Sequence, residues 1–150
     1  MGTRQQKADR GDTDMKNSKL EFNSPDDVEA VYYEAFMRCD YDVMAALWAD
    51  EDVVCIHPGS DAIVGVDAVR RSWSHIFSNA QMPNLNFSVI KRTDSDELAV
   101  HVLVEEFAIG GGETTFVLAT NVYQKFDSGW LMIEHHASLV MGQPEGQTLQ

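Results

Sequence analysis

The spacing of apolar residues changes once along the chain, near residue 84. Before that point, apolar side chains recur every three or four residues in three segments, which is the spacing of one helix face. The first segment opens with Ser24-Pro25, a capping serine followed by a proline at the first helical position. The second begins at Asp40 or Asp42, and the third begins near Asp67. The first half therefore predicts three helices.

After residue 84, apolar residues alternate with polar ones, as they do along half-buried strands. A short apolar run, residues 53–57, also predicts a strand before the Pro58-Gly59 turn. Helices followed by antiparallel strands are typical of an α+β domain with its helices on one face of the sheet. Segments rich in Asp, Ser and Gly separate four long predicted strands, which cover residues 85–92, 98–109, 114–126 and 130–140.

The two ends of the chain lack this periodicity. Residues 1–23 are polar and mixed in charge, which predicts a disordered leader. Alternatively part of this segment, residues 1–14, is not native to the protein, since Met15 offers a second start. Residues 143–150 are expected to form a flexible tail. One domain remains, residues 24–142, and it is long enough to bury a core without disulfides.

Composition and charge narrow the classes of function. The net charge of −13 opposes binding to nucleic acid, and no stripe of Lys and Arg offsets it. No apolar run is long enough to cross a membrane, and no secretory signal is recognisable. Cys39 and Cys55 form no C-x-x-C pair, so they are interpreted as free thiols of a cytoplasmic protein. No cofactor is predicted.

The last strand carries the pattern most suggestive of a site. His135 and His136 are adjacent, and side chains alternate along a strand, so the two must point to opposite faces. With Trp130 facing the interior, alternation places Glu134 and His136 on the inner face as well. His135 then belongs to the outer face.

The outer face predicted for the sheet is too apolar to be left to solvent. All three helices are needed on the other face, so the sequence predicts a homodimer in which a second copy covers the outer face. The residues assigned to this face are Leu131, Ile133, Ala137 and Leu139 from the last strand, with Val100, Val102 and Val104.

Two groups of short motifs resemble a known family, the SnoaL-like branch of the nuclear-transport-factor-2-like superfamily. The resemblance implies that the sheet curves strongly into a cone with an internal pocket. In the first half, the motifs are Trp48-Ala49-Asp50-Glu51, Val54-Cys55-Ile56-His57-Pro58-Gly59, Gly65, Val69, Ser72-Trp73 and Ile76-Phe77. In the second half, they are Thr120-Asn121-Val122-Tyr123, Asp127, Gly129-Trp130 and His135-His136-Ala137-Ser138.

The superfamily includes ketosteroid isomerases, polyketide cyclases and dehydratases, as well as binding and assembly domains. Ketosteroid isomerases use a tyrosine on the first helix as an oxyanion donor, and Tyr32 stands at the matching place. Their general-base aspartate precedes a proline after the first strand, where this sequence has His57. Their second oxyanion donor, a neutral acid, has no counterpart near Asn121. Steroid isomerisation is therefore not the expected reaction.

Polar residues set within apolar strands complete the candidate site. His57 is interpreted as the acid or base, and Tyr32 as a hydrogen-bond donor to a substrate oxygen. His136 is interpreted as a second catalytic group, oriented by Glu105 or Glu134. The expected substrate is a small, apolar carbonyl compound. The residues predicted to contact it are Asn121, Glu134, Trp48, Trp73 and Phe36.

Three classes of function remain open. The chain is a cofactor-independent isomerase, cyclase or dehydratase, a small-ligand binding protein without turnover, or a dimeric assembly domain with a vestigial pocket. A metal site is not predicted, because the histidines show neither H-x-H nor H-E-x-x-H spacing.

Overall fold

The computed structural model describes residues 21–79, 84–109 and 112–141. Residues 1–20, which make up most of the predicted leader, and the predicted tail lie outside the described residues. The described helices are α1 Pro25–Arg38, α2 Tyr41–Ala46 and α3 Val66–Asn79. The strands are β1 Val54–Ile56, β2 Ile63–Val64, β3 Asn84–Asp94, β4 Leu98–Ile109, β5 Glu113–Phe126 and β6 Gly129–Leu139.

The first two helices begin where the capping residues predict. The Ser24 side chain accepts a hydrogen bond from the backbone N–H of Asp27 at 3.1 Å, which caps α1. Asp40 caps α2 in the same way, accepting from the N–H of Val43 at 3.2 Å. None of the helices in the described part of the chain is both long and apolar enough to span a membrane.

The strands form one open six-stranded sheet in the order β2-β1-β6-β5-β4-β3. The four long strands pair antiparallel with their chain neighbours, as predicted. The short strand β1 instead runs parallel to β6, so the sheet is mixed. This pairing brings the residues before Pro58 next to the end of the last strand. Strand β2 was not predicted because two residues are too few to show a period.

The packed core begins before the first helix. Phe22 lies within the segment predicted as a leader, yet its side chain is only 7% exposed. Its carbonyl oxygen accepts a hydrogen bond from the backbone N–H of Trp130 at 2.9 Å. The start of β6 is therefore held by the segment that leads into α1.

Strand β6 carries one residue more than the strand beside it. Val122 of β5 pairs with Glu134, and the next residue, Tyr123, pairs with Met132. Ile133 is therefore an extra residue, which forms a β-bulge. Because side chains alternate with a period of two, one extra residue exchanges the two faces for the rest of the strand.

The predicted orientation of the second half of β6 is wrong for this reason. His135 and Ala137, assigned to the outer face, are each 2% exposed and lie on the inner side of the sheet. His136, assigned to the inner face, is exposed. Leu139 pairs with the buried Val117 and so also belongs to the inner side of the strand.

Gly129→Ala is expected to destabilise the protein strongly. Gly129 has a φ of +117°, and a Cβ there would lie 2.7 Å from the carbonyl oxygen of Phe22. Gly59→Ala is the matched control, because Gly59 has a φ of +79° with nothing within 4 Å of the added carbon. In urea unfolding, the control is expected to lose about 1–2 kcal/mol from backbone conformation alone. Gly129→Ala is expected to lose clearly more, and equal losses would contradict the close packing of residues 22 and 129.

Candidate active site

His57 lies just after β1 and is half-buried against α3. Its Nε2 lies 3.0 Å from the Ser72 hydroxyl oxygen, and that hydroxyl donates its single hydrogen to the carbonyl oxygen of Val69 at 2.7 Å. Ser72 must therefore accept from the Nε2–H of His57, which leaves the lone pair on Nδ1. Burial lowers the pKa of His57 below the usual value of about 6.5. At neutral pH this imidazole is an uncharged base.

Aromatic rings surround His57 on the helix side. The ring of Trp73 on α3 lies 4.9 Å from that of His57, edge to face. Tyr32 and Phe36, both on α1, lie 5.7 Å and 5.1 Å from Trp73. Tyr32 and Phe36 of α1 and Trp73 of α3, which were predicted to line one pocket with His57, therefore lie together. Trp48 is buried elsewhere, in a bridge to Met132 of β6.

His135 joins this cluster from the sheet. It pairs with Cys55 on the neighbouring strand β1, and its ring lies 5.3 Å from that of Tyr32. Its Nδ1 lies 2.6 Å from the side-chain oxygen of Asn121. Burial lowers the pKa of His135 to about 3, and repulsion from the protonated forms of His57 and His136 acts in the same direction. His135 is therefore neutral throughout the physiological range.

The predicted inner partner of His57 was His136, and that prediction is wrong. His136 is exposed, and Glu134 pairs with Val122, which lies on the outer side of β5. Cross-strand partners share one face of a sheet, so Glu134 points outward as well. Both residues fail to reach the interior because the bulge at Ile133 reverses the alternation beyond it.

Glu105 of β4 is buried, at 2% exposure, and no histidine of the described residues is hydrogen-bonded to it. Its Oε2 instead accepts a hydrogen bond from the Tyr33 hydroxyl at 2.7 Å. Burial raises the pKa of Glu105 to about 7, and the hydrogen bond from Tyr33 opposes that shift only in part. The predicted role of orienting His136 is therefore wrong, but a buried carboxyl with a near-neutral pKa is suited to proton transfer.

Two other groups near Glu105 stay protonated at neutral pH. The pKa of Cys55 is raised to about 12, mainly by burial and to a smaller extent by the negative charge of Glu105. The same two causes raise the pKa of Tyr32 well above its usual value. Cys55 is thus a thiol, unsuited to nucleophilic attack, and Tyr32 keeps the hydroxyl hydrogen that its predicted role as a donor requires.

Asn121 connects this cluster to a buried polar network that the sequence did not reveal. Its amide nitrogen donates to the hydroxyl of Tyr33 at 3.3 Å and to that of Tyr123 at 3.2 Å. Tyr123 in turn donates to Glu29 at 2.9 Å. Glu29 was not recognised because it follows two acids in the first turn of α1, where acidic residues commonly stay in solvent.

The network ends in a cluster of charges near the start of α1. Among the described residues, Asp26, Glu29 and His101 lie close enough together to hold a metal ion. However, Nδ1 of His101 lies 2.8 Å from Glu29, and Nε2 lies 3.0 Å from Asp94. Both ring nitrogens of His101 are therefore engaged by carboxylate oxygens, so neither is free to bind a metal ion. We interpret the cluster as a hydrogen-bonded link between α1 and the sheet.

Three buried donors have no hydrogen-bond partner among the described residues. They are the Tyr32 hydroxyl and the indole nitrogens of Trp48 and Trp73. A buried donor without an acceptor costs roughly 1–3 kcal/mol, so such groups commonly mark the place of a ligand or an ordered water. Tyr32 and Trp73 both belong to the aromatic cluster around the two histidines.

The chain belongs to the SnoaL-like domain family, which it matches over residues 27–142. This confirms the resemblance seen in the sequence. Three helices against an open sheet agree with the nuclear-transport-factor-2-like (NTF2-like) fold.

Several solved structures are similar to the chain. A Thiobacillus denitrificans protein, provisionally named for the association domain of calcium/calmodulin-dependent protein kinase type II, is 32% identical with a TM-score of 0.76. That alignment covers 81% of this chain and 98% of the other. An NTF2-like protein of Streptomyces avermitilis, provisionally named a dehydratase, is 26% identical with a TM-score of 0.67, over 87% and 99% of the two chains. A ketosteroid isomerase-like protein of Erwinia carotovora atroseptica shares the fold at 20% identity and a TM-score of 0.66, over 77% and 92%.

A curated relative is the F-box protein SKIP8 of Arabidopsis thaliana. The two sequences are 27% identical over 99 residues, which make up 65% of this chain and 42% of that protein. The chain therefore spans less than half the length of this relative.

Replacing Glu105 with Gln should change how stability depends on pH. The folded pKa of about 7 is raised above the usual glutamate value near 4.5. The stabilisation from the protonated form is therefore complete at low pH and is lost as pH rises toward and through 7. Relative to Glu105→Gln, the wild type is expected to lose on the order of 3 kcal/mol of unfolding free energy between pH 4.5 and 8.

Chemical denaturation at a series of pH values measures this difference. Glu106→Gln is the control, because it removes a carboxylate one residue further along β4, on the outer face. A wild-type minus Glu105→Gln difference that stays constant with pH would contradict the assignment of Glu105 as a buried acid.

Proposed function

We propose that this protein is a cofactor-independent enzyme that transfers a proton on a small, largely apolar carbonyl compound. The substrate would bind in a pocket between the helices and the sheet. The proposal rests on one observation: a neutral histidine contacts Cys55, and a buried acid of near-neutral pKa lies close enough for its charge to raise the pKa of the same thiol. The Cys55 sulfur lies 3.6 Å from Nε2 of His57, and the pKa of its thiol responds to the charge of Glu105.

The environments of these two groups move their pKa values in opposite directions. Burial lowers the pKa of His57 and raises that of Glu105 to about 7. Acid and base roles are commonly set by such opposing shifts. His57 Nδ1 would take a proton from the carbon beside the carbonyl group. Protonated Glu105 would return a proton to the product, while the Tyr32 hydroxyl would donate a hydrogen bond to the developing oxyanion.

The chemical character of the cluster supports a neutral, apolar substrate. Its described members are mainly aromatic, and they include neither Lys nor Arg. Phe36, Phe77 and Phe107 are half-buried and lie beside Trp73 or one another, so the aromatic surface continues outward from the histidines. A pocket lined by apolar groups with a few polar ones is the usual form of a small-molecule site.

The relatives are compatible with this class of reaction. The Streptomyces protein, provisionally named a dehydratase, is 26% identical over nearly its whole length. Dehydration beside a carbonyl group and double-bond isomerisation both begin with removal of a proton from the adjacent carbon. A proton-transfer site would therefore serve either reaction.

Exchange of hydrogen for deuterium at the α-carbon tests the proposal without knowledge of the natural substrate. Acetophenone and 2-hydroxyacetophenone in D2O are suitable probes, and proton NMR measures the rate. His57→Gln is expected to reduce the protein-catalysed rate about 10²–10⁴-fold. His75→Gln, which removes an exposed histidine from α3, is the matched control and should retain the rate.

The exchange rate is expected to be highest between the lowered pKa of His57 and a pH of about 7, since His57 must be neutral and Glu105 protonated. A folded His57→Gln variant with the wild-type rate, or no catalysis of either probe by the wild type, would refute the proposal. Circular dichroism and the unfolding midpoint establish that each variant is folded.

We propose assembly into a homodimer as a second function, carried by the outer face of the sheet. Leu118 of β5 is 42% exposed and pairs with Val104 on the same face. Val100 and Val102, which alternate with buried residues of β4, extend the apolar surface. The 32% identity to the Thiobacillus denitrificans association-domain protein favours the same interpretation.

Leu118→Lys is expected to weaken self-association at least tenfold, because it places a charge at the centre of the apolar surface. Sedimentation equilibrium of wild type and variant measures the dissociation constant. Ile90→Lys is the control, since Ile90 is 59% exposed but lies on β3 at the edge of the sheet. A wild type that is monomeric at high concentration, or a dimer unaffected by Leu118→Lys, would exclude this interface.

A further inference from the structure

We propose that His135 binds the substrate, with its Nε2 accepting a hydrogen bond from a hydroxyl group of the bound molecule. This inference rests on the proposed function and narrows its substrate class. The substrate would be a neutral molecule that carries a hydroxyl group close to its carbonyl oxygen.

The position of the proton on His135 is set by a chain of hydrogen bonds that begins in α1. The Glu29 carboxylate accepts from the hydroxyl of Tyr123 at 2.9 Å, which uses the only hydrogen of that hydroxyl. Tyr123 must then accept from Asn121, so the NH2 group of Asn121 faces it at 3.2 Å. The side-chain oxygen of Asn121 consequently faces His135, and Nδ1 of His135 must carry the hydrogen at 2.6 Å.

A hydrogen bond to Tyr33 also fixes the orientation of the Asn121 side chain. The second hydrogen of its NH2 group goes to the hydroxyl of Tyr33, which itself donates to Glu105. Turning the amide over would place its oxygen against two hydroxyls whose hydrogens are already donated to Glu29 and Glu105. Each buried polar atom left without a partner costs roughly 1–3 kcal/mol, so the opposite orientation is strongly disfavoured.

Neutral His135 therefore presents a lone pair on Nε2 and no hydrogen there. Among the described residues, Asn121 is its one hydrogen-bond partner, and it contacts Nδ1. The low pKa of His135 keeps the ring in this form, since protonation of Nε2 is disfavoured down to about pH 3. His135 can accept a hydrogen bond through Nε2 but cannot donate one to a carbonyl oxygen.

The unpartnered donors nearby define the rest of the ligand. The hydroxyl of Tyr32 and the indole N–H of Trp73 have no acceptor within the described part of the chain, and their rings lie 5.3 Å and 6.3 Å from that of His135. Two donors and one acceptor match a molecule that offers a carbonyl oxygen and a hydroxyl hydrogen. A carboxylate offers no hydrogen to Nε2, and a plain ketone leaves Nε2 without a partner.

Three aryl ketones test this assignment. 2-Hydroxyacetophenone carries the hydroxyl group, 2-methoxyacetophenone replaces its hydrogen with a methyl group, and acetophenone lacks the group. Titration followed by protein NMR gives the three dissociation constants. The wild type is expected to bind the hydroxyl probe about tenfold more tightly than either of the others, as one well-placed hydrogen bond allows.

His135→Phe removes the acceptor but keeps a ring in the same place, so it should bind all three probes with similar affinity. His135→Gln is a second variant that retains a polar group if the phenylalanine variant does not fold. It should recover part of the preference. A preference that persists unchanged in a folded His135→Phe variant would overturn the proposal, as would failure of the hydroxyl probe to bind the wild type.

Nitrogen NMR of the histidine rings gives a second readout, independent of affinity and turnover. In the free protein, Nδ1 of His135 is expected to carry the proton and Nε2 to be bare. The Nε2 signal should shift when 2-hydroxyacetophenone binds and much less when its methyl ether does. A proton found on Nε2 in the free protein would overturn the proposal.

The two proposals for this site can fail separately. His57→Gln should lose deuterium exchange but keep the preference for the hydroxyl probe. A wild type that prefers this probe yet catalyses no exchange would refute the proton-transfer function and leave the role of His135 standing. Catalysed exchange with equal affinity for the three probes would refute the role of His135 alone.

Discussion

One extra residue in β6, Ile133, determines which side chains of the last strand reach the interior. Strand alternation has a period of two, so a single inserted residue exchanges the faces of every position beyond it. In this protein the reversal of the two strand faces brings His135 beside Tyr32 and turns His136 outward. The parallel pairing of β1 with the same stretch of β6 then places His57 near His135. The geometry of the candidate site depends on this bulge.

A second constraint is that polar groups buried by the fold need hydrogen-bond partners. Asn121 meets it with three bonds, to two tyrosine hydroxyls and to His135, and so links Glu105 at one end to Glu29 at the other. The same rule makes the unpartnered Tyr32 hydroxyl and Trp73 nitrogen informative. Of the three unpartnered buried donors among the described residues, these two lie beside the histidines, whereas the third, Trp48, lies apart in the bridge to β6.

Local signals in the sequence were sufficient for the layers of the fold and for part of the site. Ser24 and Asp40 cap their helices as predicted, because capping depends only on neighbouring residues. His57, Tyr32 and Trp73 lie together as expected from the family resemblance. The bulge at Ile133 was not predictable, since no glycine or other local signal marks it. Glu29 was missed for a similar reason: burial of one acid among three is decided by strands far away in sequence.

The two proposed functions, catalysis and assembly, use opposite faces of the sheet, so either could change without the other. On β4, Glu105 faces the helices, whereas Val104 and Glu106 face outward. A substitution on the outer face therefore leaves the contacts of Glu105 intact, and the reverse also holds. This separation explains how relatives named for a dehydratase and for an association domain can share one fold. Similarity of fold therefore does not favour one proposed function over the other. The polar residues of the inner face favour catalysis. A buried acid, two neutral histidines and unpartnered donors are costly to keep in a domain that only assembles.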